Sequence, residues 1–321
     1  MDKFDRKQLM TSKLVNTILC LLGISVIFYL IRREMFIAKL QVGTDTLYYD
    51  SKEELNFFAV GDTGTGEIQQ FAVALAMERA CTQLPELDGI WHLGDIFYPA
   101  GVQDIYDLQW QEKVEKPFGS PCLKKVPIFP VLGNHDYKGN AEAIIEYSKT
   151  HHRWRMPKRF YRMQFGNMLN VVAFDSNFPD FCFSSKQCAL DFLIDSLDKP
   201  STKYSVVLAH SPLKSSSTKR HSHRGGIFGF LMAPLICNRA DAWIAGHAHF
   251  LELAEMQGCR SDSLISGGGG GDLYDVTPGK EPGSFKASAH GFLHVQVTVS
   301  AIKYRFIDSD NQILFEKIRR S

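Results

Sequence analysis

Five short segments of the chain carry side chains of the types that bind metal ions or transfer protons. Taken singly, each has an ordinary interpretation as a turn, a helix cap or a buried histidine. Five independent turns have no reason to select only metal-type donors, so together they predict a metal site. The segments are Gly61-Asp62-Thr63-Gly64, Gly94-Asp95-Ile96-Phe97-Tyr98, Gly133-Asn134-His135-Asp136, His210, and Gly246-His247-Ala248-His249.

The number and type of the donors predict two ions. Anionic oxygens, one neutral amide oxygen and imidazole nitrogens are too many for one tetrahedral zinc, and they suit two metals that share a carboxylate. Asp95 is the natural bridge, because Tyr98 lies three residues later and can reach one of the ions. A phenol loses its proton at about pH 10, and a trivalent ion lowers that value, so a tyrosine ligand favours Fe(III). The predicted ligands are Asp62, Asp95, Tyr98, Asn134, His210, His247 and His249.

Buried strands must position these side chains. The runs "LNFFAV", "LDGIWHL", "VPIFPVL", "NVVAF", "YSVVLA" and "ADAWIA" are short, apolar and rich in β-branched or aromatic residues. Stretches with helical patterning, such as "EIQQFAVALAMERACTQL" and "QCALDFLIDSLDK", separate most of them. This alternation predicts an α/β fold with the ligands at the carboxyl ends of its strands. The tail alternates polar and apolar residues around "DSDN", which predicts antiparallel hairpins.

The ordered motifs resemble those of a known family. "GDTG", "GDIFY", "GNHD", "VLAH" and "GHAH" are similar to the GDxG, GDxxY, GNH(E/D), VxxH and GHxH motifs of purple acid phosphatases, within the calcineurin-like metallophosphoesterases. The small tartrate-resistant acid phosphatases are the most similar group. Sister enzymes usually carry Asp-x-His in the first motif, whereas this chain has Gly64 there and Tyr98 in the second motif. The resemblance implies a β-sandwich of two mixed sheets flanked by helices.

The resemblance also implies roles for individual residues. Asp62, Asp95, Tyr98 and His249 would hold Fe(III), and Asp95, Asn134, His210 and His247 would hold divalent iron, zinc or manganese. Metal-bound hydroxide would then attack a phosphomonoester. His135 would be the general acid rather than a ligand, and Asp136 would either orient that imidazole or cap the turn. An acidic pH optimum follows.

Two weaker features lie near these motifs. "TKRHSHRGG" at residues 218–226 is either a solvated basic loop or the source of a second histidine that contacts phosphate, as in relatives; His223 is the first choice and His221 the second. The glycines at 267–271 follow "LIS" and are expected to let the backbone pass close to the metals.

Composition limits the class of protein. The chain has 321 residues, 36 basic and 35 acidic, for a formal charge of +1, so its overall charge does not point to a nucleic-acid partner. Residues 14–31 contain no charged residue, which predicts an uncleaved transmembrane signal anchor. A signal peptide or a buried core helix is the alternative. More basic residues precede this run than follow it, which favours a cytoplasmic amino end and an extracytoplasmic body, whether periplasmic, lumenal or extracellular.

The remaining chain divides simply. We expect a short basic segment at residues 1–13, the anchor at 14–31, a stalk at 32–54 and a catalytic domain at 55–321. Six of the seven cysteines lie beyond the anchor, an even number that an oxidising compartment could pair. Cys182 and Cys188 are the local candidates, and reduced, buried cysteines are the alternative.

The sequence thus predicts a membrane-anchored acid phosphatase with a dinuclear metal centre that hydrolyses phosphomonoesters. One alternative is a membrane-tethered scaffold that keeps the fold without the chemistry, although no ligand is missing from the motifs. The other is a phosphodiesterase or nucleotide hydrolase that uses the same metal centre.

Overall fold

The computed structural model describes residues 46–177, 189–198, 201–217, 227–256, 258–276 and 284–320. They form two mixed β-sheets that pack face to face, with helices on the outer faces. This is the α/β architecture that the alternating runs predict.

The first sheet has eight strands in the order β1-β5-β6-β7-β8-β10-β9-β11. Its centre is parallel, because β6, β7, β8 and β10 run in the same direction. The strands are β1 (Thr46–Tyr49), β5 (Tyr161–Phe165), β6 (Leu169–Ala173), β7 (Tyr204–Ala209), β8 (Ala242–Ala245), β9 (Leu251–Glu255), β10 (Asp262–Ser266) and β11 (Phe285–Ala287).

The second sheet has six strands in the order β14-β13-β12-β2-β3-β4. Its parallel part is β2, β3 and β4, and the tail adds β12, β13 and β14 as the predicted antiparallel hairpins. The strands are β2 (Glu54–Val60), β3 (Gly89–His92), β4 (Ile128–Pro130), β12 (Gly291–Thr298), β13 (Ala301–Asp308) and β14 (Ile313–Arg320).

The helices are few and short. The stretches predicted to be helical form α1 (Ile68–Cys81) and α3 (Ala189–Asp198), while α2 (Ala141–Glu146) and α4 (Ile227–Ile236) complete the set in the described ranges. Short turns of 3₁₀ helix occur at Leu123–Lys125, Asp136–Lys138 and Tyr147–Lys149, and a π-helical turn spans Gln111–Glu115.

The core follows the two-residue period of the strands. On β7, Val206 and Leu208 face the space between the sheets, whereas Val207 and Ala209 face the outer layer that contains α3 and α4. On β2, every residue from Leu55 to Val60 is buried because both faces of this sheet are covered. This double burial explains why the strands read as continuous apolar runs.

Three expectations differ from the structure or fall outside it. The described chain joins the sheet at Thr46, inside the range expected to be a stalk, because β1 pairs with β5 and Tyr49 stacks on Phe165 at 4.6 Å. The expected anchor at 14–31 lies outside the described residues, and no helix within them is long and apolar enough to cross a membrane.

The two disulfides within the described residues join cysteines for which the sequence names no particular partner. Cys182 and Cys188 lie outside the described residues. Cys81 pairs with Cys122 and Cys237 with Cys259, with Cα–Cα distances of 6.2 and 5.1 Å, so these four cysteines are not reduced. The fold brings together residues 41 and 22 positions apart, which spacing in the sequence does not reveal.

Candidate metal centre

Strand ends from both sheets deliver the predicted ligands to one place. Asp62, Asp95 and Asn134 follow the parallel strands β2, β3 and β4 of the second sheet, and His210 and His247 follow β7 and β8 of the first. Since the carboxyl ends of parallel strands share an edge, the loops converge where the two sheets meet. Direct contacts join them: the Asp62 amide donates to the Gly94 carbonyl at 3.0 Å, and the His247 amide donates to Asp62 Oδ2 at 2.8 Å.

One group of donors surrounds the hydroxyl of Tyr98. The phenol oxygen lies 3.0 Å from Asp62 Oδ1, 2.9 Å from Asp95 Oδ2 and 3.0 Å from His249 Nε2. A phenol has one proton and cannot donate to three acceptors at once. Burial raises the pKa of Tyr98 well above its usual value, and the carboxylates of Asp62 and Asp95 raise it further. A cation at this point would satisfy all four groups and favour the phenolate.

A second group of donors surrounds Nε2 of His210. This nitrogen lies 3.1 Å from Asn134 Oδ1, 3.1 Å from His247 Nδ1 and 3.5 Å from Asp95 Oδ1. The other ring nitrogen of His210 lies 2.8 Å from the Leu93 carbonyl, to which it donates its proton. With Nδ1 donating to the carbonyl, Nε2 of a neutral His210 presents a lone pair to the group, as an imidazole ligand of a metal does.

Asp95 connects the two groups. Its Oδ2 faces Tyr98 and its Oδ1 faces His210, so one carboxylate reaches both sets of donors. Candidate ligand atoms of Asp62, Asp95 and His210 all lie within 4.8 Å of one another. The second group lies on the other side of the same carboxylate. All seven predicted ligands are thus brought together, and Asp95 occupies the position expected of a bridge.

The backbone at the site adopts an uncommon conformation. Asp62, Asp95 and His247 have positive φ angles of 60°, 49° and 68°. The left-handed region costs a non-glycine residue roughly 1–3 kcal/mol, and such residues cluster at functional sites. Here the conformation turns each side chain from the end of its strand toward the shared centre.

The electrostatics of the site fit bound cations. Asp62 is 0% exposed and Asp95 is 2% exposed, yet histidines are the only basic side chains among the described residues within 4 Å of either carboxylate. Burial is the largest influence on His249 and lowers the pKa of its imidazole. The hydrogen bond to Asp62, the charges of Asp62 and Asp95 and the contact with the Asp272 carbonyl together outweigh burial, so the pKa of His249 is raised. Buried carboxylates normally have a charged partner. Oxygen and imidazole donors suit Fe(III) together with divalent iron, zinc or manganese.

The carbonyl of Asp272 fixes the last imidazole. It lies 2.8 Å from Nδ1 of His249, which leaves Nε2 of that ring for a metal. The ring also stacks on Tyr274, with 4.5 Å between centroids and 17° between planes.

Glycines allow the loops to approach this closely. A Cβ atom at Gly64 would lie 2.2 Å from the Ile96 carbonyl, so the position where sister enzymes carry histidine has no room for a side chain. A Cβ atom at Gly271 would lie 2.6 Å from the His249 ring. The run at 267–271 therefore passes against the ligand residues, as the sequence predicts.

His135 lies beside the donors without joining either group. Its ring centroid is 4.5 Å from that of Tyr98, and its Nδ1 is 2.8 Å from the Pro99 carbonyl. The backbone amide of His135 donates to Asp95 Oδ1 at 2.8 Å. If Nδ1 donates to the carbonyl, Nε2 is the ring atom that can face substrate, and Lys138 Nζ lies 3.2 Å from it.

Asp136 caps the loops and does not contact the imidazole. Its carboxylate accepts hydrogen bonds from the amides of Gly133 at 2.7 Å, Ile96 at 3.0 Å and Phe97 at 3.3 Å. Of the two expected roles, orienting the imidazole is therefore wrong and capping is confirmed. Asp136 ties the segment that carries His135 to the segment that carries Tyr98.

Two cavities open beside the donors. One of about 350 Å³ is lined by Lys138 and Tyr274 together with His135 and four of the predicted ligands. A neighbouring cavity of about 670 Å³ is lined by Thr65, Glu67, Gln69 and Asp272, among others, and shares His249 and Tyr274 with the first.

Sequence reasoning missed some residues of the site and placed others where the structure gives no description. His221 and His223 lie outside the described residues. Lys138 and Tyr274 line the cavity and were not predicted. A surface lysine in a turn has no distinctive sequence signal, whereas Tyr274 follows the glycine run closely enough to have been considered.

Comparisons with known proteins identify a family and its relatives. The model of the calcineurin-like phosphoesterase family matches residues 55–251. Tartrate-resistant acid phosphatase type 5 of Homo sapiens is 29% identical over 294 residues, which cover 82% of this chain and 90% of that protein. Purple acid phosphatase 3 of Arabidopsis thaliana is 27% identical over 286 residues, which cover 81% of this chain and 76% of that protein.

Solved structures show the same fold. GAP50, described as the anchor in the inner membrane complex of Plasmodium, superposes with a TM-score of 0.71 at 22% identity, covering 84% of this chain and 89% of GAP50. A purple acid phosphatase from yellow lupin (Lupinus luteus) superposes with a TM-score of 0.65 at 16% identity, covering 84% of this chain and 54% of the lupin chain.

Proposed function

The chain belongs to the calcineurin-like phosphoesterase family, and we propose that it is an acid phosphatase that hydrolyses phosphomonoesters at a dinuclear metal centre. The main support is the position of the Asp95 carboxylate, because its two oxygens face two separate groups of metal-type donors. The human and plant relatives are acid phosphatases by name, which supports the same reaction class.

The residues divide into two sets of ligands. Asp62, Tyr98 and His249 would hold Fe(III), and Asn134, His210 and His247 would hold the divalent ion, with Asp95 shared. When bound, the two ions supply positive charge to the phosphate and acidify a water molecule. The protein's own part is to fix the ligands by strained backbone and by hydrogen bonds to the outer imidazole nitrogens.

His135 is the proposed general acid. Its Nδ1 is held near the Pro99 carbonyl, which orients the ring so that Nε2 can carry a proton to the leaving oxygen. A positioned acid of this kind contributes roughly 10²–10⁴ in rate and must be protonated. Activity should therefore be greatest at acidic pH.

The experiment uses the purified full chain. We expect bound iron, a visible absorption band from tyrosinate bound to Fe(III), and hydrolysis of a generic phosphomonoester that declines above neutral pH. A colourless, iron-free protein with full activity would refute the Fe(III) assignment and leave the phosphatase proposal intact. A metal-free, inactive chain would favour the scaffold alternative.

His135→Ala separates a catalyst from a ligand. The variant should retain both metals and lose roughly 10²–10⁴ of kcat, because only proton donation is removed. His152→Ala is the control, since this exposed histidine lies outside both cavities. Loss of metal from His135→Ala would show that His135 is a ligand.

We also propose that residues 14–31 anchor the enzyme in a membrane with the catalytic domain outside the cytosol. The support is the uncharged run and the surplus of basic residues before it. The full chain should stay with membranes after an alkaline wash, and protease added to the extracytoplasmic side should digest the catalytic domain. Release by the wash would contradict the anchor.

A further inference from the structure

Lys138 places a positive charge directly beside the proposed general acid. Its Nζ lies 3.1 Å from Nδ1 and 3.2 Å from Nε2 of His135, at the end of the turn Asp136–Lys138. Lys138 also lines the cavity of about 350 Å³ together with Asp95, Asn134, His247 and His249. It is the one lysine or arginine among the described residues that line this cavity.

The backbone that carries Lys138 is firmly held. The neighbouring Tyr137 turns inward, where its hydroxyl donates to Asp175 and accepts from Arg159, both of which are buried. On the other side, the three backbone amides bound by Asp136 fix the start of the turn. Lys138 therefore emerges from a rigid turn, and only its side chain is free to adjust.

The charge balance of the cavity gives this lysine a purpose. The rest of the cavity is lined by ligand side chains, the imidazole of His135 and Tyr274. A phosphomonoester has three non-bridging oxygens at any pH and a phosphodiester has two. Above a pKa of about 6 the monoester also gains a second negative charge, which a diester cannot. An ammonium group with three donors on a flexible stem can follow an anion away from an imidazole.

Resting on the proposed function, we propose that Lys138 binds a non-bridging phosphoryl oxygen and selects phosphomonoesters over phosphodiesters. The ammonium group donates to the third non-bridging oxygen of a monoester, and a diester carries an ester group in that place. Lys138 is thus a specificity-determining residue, and the substrate class that it favours is the terminal phosphate group.

The test compares Lys138→Met with Lys149→Met in the full, metal-loaded chain. Lys149 is a matched control because its side chain is 74% exposed and pairs only loosely, at 3.6 Å, with Glu146. For Lys138→Met, we expect the Kd for inorganic phosphate, measured by calorimetry, to rise roughly 10- to 100-fold, the range for a hydrogen bond to a charged group. Lys149→Met should leave it unchanged, and Lys138→Arg should restore most of the affinity.

Substrate selectivity provides the second measurement. In Lys138→Met, kcat/KM for a monoester should fall by the same factor as phosphate affinity, while kcat/KM for a diester should stay the same. Unchanged phosphate affinity would overturn the proposal, because Lys138 would then act only on His135. An equal fall for both esters would also overturn it, because Lys138 would then not distinguish a monoester from a diester. A wild-type chain that binds phosphate without hydrolysing esters would refute the proposed function, and the Kd values would still decide the role of Lys138. A wild-type chain that binds no phosphate would overturn both.

Discussion

Two pairs of buried aspartates lie at opposite ends of the strands and differ in what balances their charge. Asp62 and Asp95 follow strands at the carboxyl edge, whereas Asp241 and Asp262 lie at the amino ends of β8 and β10. The exposures are nearly equal: 0% and 2% for the first pair, 4% and 3% for the second. Residue type and burial therefore do not distinguish them.

The pair at the amino ends is balanced by the chain itself. Arg319 reaches both carboxylates, at 3.2 Å from Asp241 and 3.3 Å from Asp262. Arg260 lies 3.0 Å from Asp241, and Lys317 lies 3.0 Å from Asp262. Because Arg319 and Lys317 belong to β14, these ion pairs attach the edge of the second sheet to the first.

The pair at the carboxyl ends has no such partner. In the part of the chain that the structure describes, neither Asp62 nor Asp95 has a lysine or arginine nitrogen within 4 Å. Leaving a carboxylate buried without a counter-charge is expensive. The comparison indicates that one pair stabilises the fold, while the other preserves negative charge for cations that the chain does not supply.

The largest expected difference is in activity. Asp95→Asn should lose at least one metal and lower kcat by at least ~10³-fold, because bound ions stabilise the transition state by several kcal/mol and about 1.4 kcal/mol is a factor of ten. Metal analysis and kcat on a phosphomonoester measure this. Asp262→Asn makes the same chemical change at the other end and should keep its metals and its kcat. Equal losses in the two variants would break the comparison.

The sequence predicts the carboxyl-end site better than the amino-end one for a physical reason. The ligand segments follow strands that are buried on both faces. Each apolar run is therefore directly followed in the sequence by its polar ligand, and the two together form a pattern that can be recognised. All six predicted strands are present, and the ligands meet where their edges meet. The ion pairs of Asp241 and Asp262 instead join residues 19 to 78 positions apart, and no local pattern marks them.

The same reasoning explains the other failures. β1, β9 and β11 are strands of three to five residues at or near the edge of a sheet, and β1 and β11 are only partly buried, so their patterns resemble loops or a stalk. Asp136 could be read from its position as a cap or a partner of His135, and only the three amide contacts decide between them. The role of Lys138 depends on a turn whose rigidity comes from the distant Asp175 and Arg159.

The second prediction concerns stability without metal. Asp262→Asn should lower the free energy of unfolding by about 2–3 kcal/mol, because it weakens the charge-assisted contacts to Lys317 and Arg319. These two partly buried cations keep Glu255 and Asp241 as their remaining partners. Asp62→Asn removes a charge with no permanent counter-charge and should change stability by no more than about 1 kcal/mol, since the amide can still accept from the His247 amide. Urea unfolding of both variants in a chelator, above pH 7, measures the contrast. A loss in Asp62→Asn as large as that in Asp262→Asn would mean that the carboxyl-end pair is structural.

The third and smallest effect is the pH dependence of stability that comes from His294. This buried imidazole has neither a predicted metal nor a carboxylate in contact with it. It is 3% exposed, and its Nε2 lies 3.0 Å from Asn56 Oδ1. Burial and the nearby Arg305 lower the pKa of His294 to about 4. An unfolded histidine has a pKa of about 6.5, so protons bind the unfolded chain more tightly. The stability that depends on a neutral His294 is therefore complete above about pH 6.5. It is lost as the pH falls from there toward 4.

His294→Gln tests this dependence, since glutamine can still donate to Asn56 but does not titrate. Between about pH 7 and pH 5, the wild type should lose about 2 kcal/mol of unfolding free energy through this residue, and the variant should not. Urea unfolding at both pH values gives the difference. Burial lowers the pKa of His92 to about 3. His92 therefore adds the same pH dependence to the unfolding free energy of both proteins, and its contribution cancels in the difference. Parallel stability curves for the two proteins would show that His294 is protonated in the folded state. In that case this fold would bury a charged group without a counter-charge at little cost in free energy. The contrast between the two aspartate pairs depends on that cost being large.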